Sequence, residues 1–255
     1  MKVFFLTLVM TLSLFLTSFC FAQEFLASNT LASGVNKNHA HVYTDLAFKG
    51  GYHWAEDLKS SLSLGIVKEF TGEAKLLFKD MVLETYRSNL YIHPQTEIAA
   101  HGFMRIFLPT SKSSQDKSEI MAFKTGTALS KNYLKWNFGY ELSGSYFLHR
   151  FITAKDEASN LNYGITNTLT LGYALSEILY LNTALSLLNF ATYNTTPKAT
   201  YSFIQEIDYI LLPKVEASFG LSTGGRQYRN NGKELNLALF DAEGSELFLG
   251  VNYVF

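Results

Sequence analysis

Leu247-Phe248-Leu249-Gly250-Val251-Asn252-Tyr253-Val254-Phe255 ends the chain with an apolar side chain at every odd position up to a terminal aromatic. Successive side chains of an extended strand point to opposite faces. Leu247, Leu249, Val251, Tyr253 and Phe255 therefore share one face, while Glu246, Gly250 and Asn252 take the other with Phe248 and Val254. A soluble sheet edge seldom ends on such a stripe, because an unbroken apolar face needs an apolar medium to cover it.

The opposite end of the chain agrees. Lys2 gives a short positive start, Val3 to Leu16 is largely apolar, and small residues stand at Cys20 and Ala22 before Gln23-Glu24. This pattern predicts a signal peptide over 1–22, cleaved after Ala22, and a single domain over 23–255. The apolar stretch is short for a membrane-spanning helix, and Phe19 is too bulky for the position before a lipidated Cys20. Cleavage there removes the one cysteine, so the mature chain has no disulfide, thiolate metal site or cysteine nucleophile. It also removes Lys2, which leaves 20 basic residues (21 − 1) against 22 acidic, a net charge of −2. That balance provides no basic field for nucleic acid.

The closing strand resembles the C-terminal signal of Gram-negative outer-membrane β-barrel proteins, whose last strand ends at a Phe after alternating apolar and aromatic residues. The resemblance implies the cell outer membrane as location, with outer-membrane lipid and the barrel insertion machinery as partners. Composition fits it: apolar residues make up 47% and aromatic residues 15%, with 21 Phe, 15 Tyr and only 4 Pro. Beyond the signal no apolar run is long enough for a transmembrane helix, so only alternating strands could span a bilayer. A secreted soluble β-sandwich is the competing fold.

The alternation recurs along the chain. In Asn162 to Ala174, Tyr163, Ile165, Leu169, Leu171 and Tyr173 alternate with Gly164, Thr166, Thr168, Thr170 and Gly172. Leu134 to Leu148 and Ile98 to Leu108 follow the same scheme, as do Leu58 to Ile66, Tyr201 to Leu211 and Val215 to Leu221. Pro94, Pro109, Pro197 and Pro213 fall where these runs stop. Short connections at Trp54 to Asp57, Pro94-Gln95, Ser130 to Asn132, Ser176-Glu177 and Leu212-Pro213 alternate with long polar ones at Thr71 to Asp80, Pro109 to Ser118, Arg150 to Leu161, Tyr193 to Lys198 and Gly224 to Ser245. Short periplasmic turns and long external loops are the barrel arrangement. Eleven strands follow from His41, and Glu24 to Ser33 supplies a twelfth that would meet the closing strand.

The expected fold is thus an all-β antiparallel transmembrane barrel of about 12 strands, with 10 as the alternative count. Two stretches, Ala74 to Arg87 and Ser176 to Asn189, also carry near-helical apolar spacing. They are assigned as strands because a gap in the wall would leave backbone groups unpaired in lipid. Tyr52, Trp54, Tyr133, Trp136, Tyr209 and Tyr253 cluster at short-turn ends, as an interfacial aromatic girdle would.

Chemistry is sparse. The phospholipase and lipid-A deacylase barrel families place a His two positions before a nucleophilic Ser, and the barrel protease family uses an Asp-x-His step; this chain contains neither pattern. His39 and His41 share a strand parity and could join Asp45 at a metal, but without a nearby acidic cluster they are expected to be solvated. No metal and no cofactor is expected. The strand registers instead gather Arg87, His101, Arg105, Lys135, Glu141, Glu206, Asp208 and Glu216 on the inner face as pore-lining candidates. The expected function is a porin-like passive channel for small polar solutes. Its alternatives are a structural or adhesive barrel binding a partner through external loops, with Gly224 to Ser245 and its Arg226, Arg229 and Asp241 the longest, and, last, an outer-membrane hydrolase.

Overall fold

A computed structural model describes residues 24–34, 42–71, 74–228, 235–238, 240 and 245–254. The expected signal peptide, His39, His41, Phe255 and most of the loop before Ser245 lie outside the described residues. The strands are β1 (Glu24–Gly34), β2 (Val42–Ala55), β3 (Leu58–Glu69), β4 (Leu76–Phe78), β5 (Met81–Ile92), β6 (Ala99–Leu108), β7 (Glu119–Tyr133), β8 (Trp136–His149), β9 (Leu161–Ala174), β10 (Leu179–Thr192), β11 (Pro197–Leu212), β12 (Val215–Arg226) and β13 (Ser245–Val254), with one short helix, α1 (Lys112–Asp116).

Apart from β4, which pairs only with β3 while β5 pairs with β3 and β6, each strand pairs antiparallel with its neighbour in sequence, and β13 pairs with β1 from Leu26↔Val254 to Gly34↔Glu246. That last pairing closes a barrel of twelve strands, with β4 as an extra piece. Closure gives each of the twelve strands a partner on both sides, as a bilayer requires, while β4 is paired on one side only. Both stretches of ambiguous periodicity are extended: β10 pairs along its length with β9 and β11, and β5 with β3 and β6.

The alternation resolves into two faces. Leu169 and Leu249 point outward, 57% and 53% exposed, and Tyr163, Ile165 and Leu171 are exposed on the same side of β9. In water this array would drive association; against hydrocarbon it is the buried face of the protein. Inner positions hold small residues such as Ala32, Ser143 and Ser218, all buried. Tyr52 and Trp54 meet edge to face at 4.9 Å, and Trp136 lies 4.5 Å from Tyr173, all on the outer face at the short-turn ends.

Two local features depart from the sequence expectation. The first lies along the β3 edge, where β4 occupies Ile66 to Lys68 and β5 occupies Leu58 to Ser63. The two are successive parts of one wall strand, interrupted at Lys79-Asp80, where Lys79 N still donates to Gly65 O. The pairs Ile66↔Phe78 and Ser63↔Val82 differ in register by one residue, so the parity of inner and outer side chains flips across the break. The second is the β7–β8 turn, expected at Ser130 to Asn132 but formed by Leu134-Lys135, with β7 continuing to Tyr133. Leu134 sits there at φ 54°, a left-handed conformation that its side chain does not advertise.

The expected external loops also carry structure. The segment before β5 holds β4, and the β6–β7 connection holds α1, capped by Ser111, whose hydroxyl accepts from Ser114 N. Asp80 accepts from Ser111 N and from the Ser114 hydroxyl, which ties α1 to the break between β4 and β5. The β8–β9 loop folds back through Asn160, whose amide donates to Lys117 O and Phe151 O. Gly224 to Arg226, expected in a loop, are the last residues of β12.

Candidate functional site

Six of the eight pore-lining candidates have inner-face parity: His101, Arg105, Glu141, Glu206, Asp208 and Glu216. The other two do not join them. Arg87 lies beyond the register break, so it shares parity with the outward Leu83 and not with Glu84. Its Nε donates to Asp57 in the β2–β3 turn at 2.8 Å, and that bond holds the Asp57 carboxyl below its ordinary range. Lys135 is exposed in the β7–β8 turn, because that turn falls after Tyr133.

The inner face of β2 to β8 carries a basic wall whose members are tied to acids of the same wall. Lys49 Nζ lies 2.8 Å from Glu84 Oε1, and Arg105 Nε bonds the other oxygen of the same carboxylate. Lys124 Nζ lies 3.1 Å from Glu141 Oε1. The Arg105 guanidinium also sits 4.7 Å from the centre of the Phe103 ring, a cation–π contact that holds the charge against the wall. Lys49, Glu84 and Lys124 are absent from the sequence-derived set, although Lys49 and Lys124 follow from alternation: Asp45, Lys49 and His53 share one parity of β2 opposite Leu46, Phe48 and Trp54. Glu84 was hidden by the register break.

His101 plays a different part. Its Nδ1 accepts from Asn89 N at 3.2 Å, so Nε2 carries the hydrogen and donates to the Ser130 hydroxyl at 2.8 Å. Asn89, at φ 51°, belongs to the irregular stretch where β5 shifts register against β6. His101 thus pins a kink in the wall and has no ring nitrogen left for a solute.

The opposite wall is acidic. In a ring of twelve strands β11 stands across from β5, and β12 across from β6. Glu206 and Asp208 are two residues apart on β11, and Glu216 is diagonal to Asp208, which pairs with Ser218. Same-face neighbours of these kinds lie about 7 Å apart. Asp208 accepts from the Asn182 amide, and Glu216 accepts from Asn252 Nδ2 at 3.3 Å. Glu206 lines a recess of about 230 Å³ with Asn137, Thr170 and Asn182. Lys49, Arg105, Glu141 and Glu206 all stand five to six residues in from the short-turn ends of their strands (Ala55, Ala99, Trp136 and Leu212), so the two walls face each other as one belt.

Above this belt, at the long-loop end, the β4 segment, α1 and the β8–β9 loop enclose a cavity of about 1260 Å³. Phe147 and Phe190 line it with their rings 6.0 Å apart, and lysines and carboxylates border it in nearly equal number. The Phe190 ring lies flat over Gly164, where an added Cβ would stand 2.0 Å from Cδ1. Gly164→Ala is therefore expected to turn the ring off the wall into the cavity, costing about 1–3 kcal/mol of stability in a reversible denaturant titration. Gly144→Ala, with nothing within 4 Å of the new Cβ, is the matched control and should leave stability unchanged. An unaltered stability in Gly164→Ala would contradict this account of the ring.

Among solved structures the chain resembles an outer membrane channel from Pseudomonas putida F1, with a TM-score of 0.62 at 13% identity over 91% of this chain and 95% of that one. The fold is that of an outer-membrane β-barrel. NanC porin gives a TM-score of 0.58 at 12% identity, covering 90% and 98%, and KdgM porin in complex with disordered oligogalacturonate gives 0.53 at 8%, covering 91% and 99%. No protein-family model and no curated protein sequence matches the chain. These identities carry the architecture alone, so substrate and residue roles rest on the barrel's own inner surface.

Proposed function

We propose that the protein is a porin-like passive channel of the outer membrane, passing small polar solutes through the charged belt. The observation that supports this reading is the opposition of two oppositely charged walls across a lumen whose other positions mix small residues such as Ser143, Thr168 and Gly172 with aromatic ones such as Phe103 and Phe248. Unpaired charges are very costly away from water, and Glu206 has no ion-pair partner among the described residues, so the lumen is hydrated. Opposed charges on the two sides of a hydrated passage orient dipolar solutes and filter ions by sign. The architecture shared with known channels and porins supports the same reading. The protein is proposed to act without catalysis; the inner-face hydroxyl beside an imidazole, Ser130, is an acceptor of the His101 Nε2 hydrogen and not a donor to it.

Planar-bilayer recording of the mature chain tests the proposal. Discrete conductance steps are expected, and Arg105→Gln or Glu141→Gln should change their size. Arg87→Gln, outside the belt, should leave them as they are. A folded barrel that produces no steps would overturn the channel reading.

A further inference from the structure

We propose that this lumen is selective for small cations, and that Glu206, Asp208 and Glu216 set the selectivity; the inference rests on the channel reading above. The basis is a charge balance across the whole belt. On the basic wall, Lys49 and Arg105 share Glu84, and Lys124 is matched by Glu141, so three cations face two carboxylates and their fields are largely cancelled at contact distance. On the acidic wall, Asp208 and Glu216 meet only neutral amides. Glu206 makes no side-chain bond at all among the described residues. Lys59 also takes inner parity, one residue in from the start of β3 as Glu216 is from the start of β12, so across the belt and its short-turn end three carboxylates stand against two net positive charges and leave the lumen negative.

Neither end of the lumen reverses this sign. Lys214, the nearest basic residue in the chain to Glu216, is exposed in the β11–β12 turn, and the outer cavity is close to neutral. Within the belt, a passing cation exchanges part of its hydration shell for carboxylate and amide oxygens, whereas an anion meets a basic wall whose donors are already occupied. The matching ligand class is a small monovalent cation such as potassium or a primary ammonium ion. The site's carboxylates are fixed by strand pairing, so the preference is a property of the wall and not of a mobile loop.

The test is the reversal potential of single channels under a potassium chloride gradient, followed by exchange of potassium for methylammonium. The expected reversal potential lies on the cation side, with a permeability ratio of several-fold, and methylammonium should carry current. Replacing all three carboxylates (Glu206→Gln, Asp208→Asn and Glu216→Gln) should bring the reversal potential to zero or past it. Glu206→Gln alone, at a side chain with no bond to lose, should move it part of the way, which keeps the test intact if the triple variant fails to fold. Arg105→Gln should move it further toward cations. Steps with anion-selective reversal, or a single and triple variant indistinguishable from the parent, would overturn the selectivity while leaving the channel standing. Absence of steps would overturn both.

Discussion

Leu249→Arg is expected to destabilise the folded barrel by roughly 2–4 kcal/mol, the cost of an arginine near the middle of a lipid-facing strand. Leu249 lies at the middle of β13 and pairs with Leu31 on one side and Phe219 on the other, all three outward and exposed. The guanidinium therefore has no partner within reach and must either drag water into the bilayer or snorkel toward an interface. Asn252→Arg on the inner face of the same strand is the comparison, since Glu216 already bonds Asn252 and can receive the new charge. It should cost well under half as much. Reversible denaturant titration in lipid vesicles measures both, and equal losses at the two positions would show that the two faces do not differ in solvent.

The second large effect is expected at Glu84. Its side chain is 15% exposed and holds both Lys49 and Arg105, so Glu84→Gln leaves two cations beside each other with one neutral acceptor between them. Lumen water reaches Lys49 and Arg105, which limits the penalty to about 1–2 kcal/mol, below the value for a fully buried pair. The larger consequence is electrical: the belt gains one net positive charge, and the reversal potential should shift toward anions. Glu84→Gln combined with Arg105→Gln restores the balance and should return the reversal potential to near its parent value. If the single and double variants conduct alike, the triad does not face the permeation path.

Much of this molecule follows from counting in twos. The outer set of β9, the parity of β13, the closing role of Glu24 to Ser33 and the inner parity of six of the eight candidates needed nothing beyond alternation. The two misplaced candidates fail for one reason. Alternation carries side-chain direction only as far as the strand is regular, and Arg87 lies past a register break while Lys135 lies in a turn that forms a few residues later than the polar Ser130 to Asn132 stretch suggests. Neither interruption has a glycine or proline to announce it: Lys79-Asp80 marks the first, and Leu134 at positive φ marks the second.

The sequence by itself determined an antiparallel all-β wall of about twelve strands and which face of most strands points outward, because alternation and turn placement depend on neighbours a few residues apart. Only the tertiary structure decided which charges meet. Lys49 and Glu84 are separated by an intervening strand, and the acidic carboxylates of β11 and β12 stand across from β5 and β6 only once β13 has paired with β1. The closing stretch from Leu247 therefore carries its outer face in its own residues, but the opposition of a basic and an acidic wall exists only after the strand has found its partner and bent the sheet into a ring.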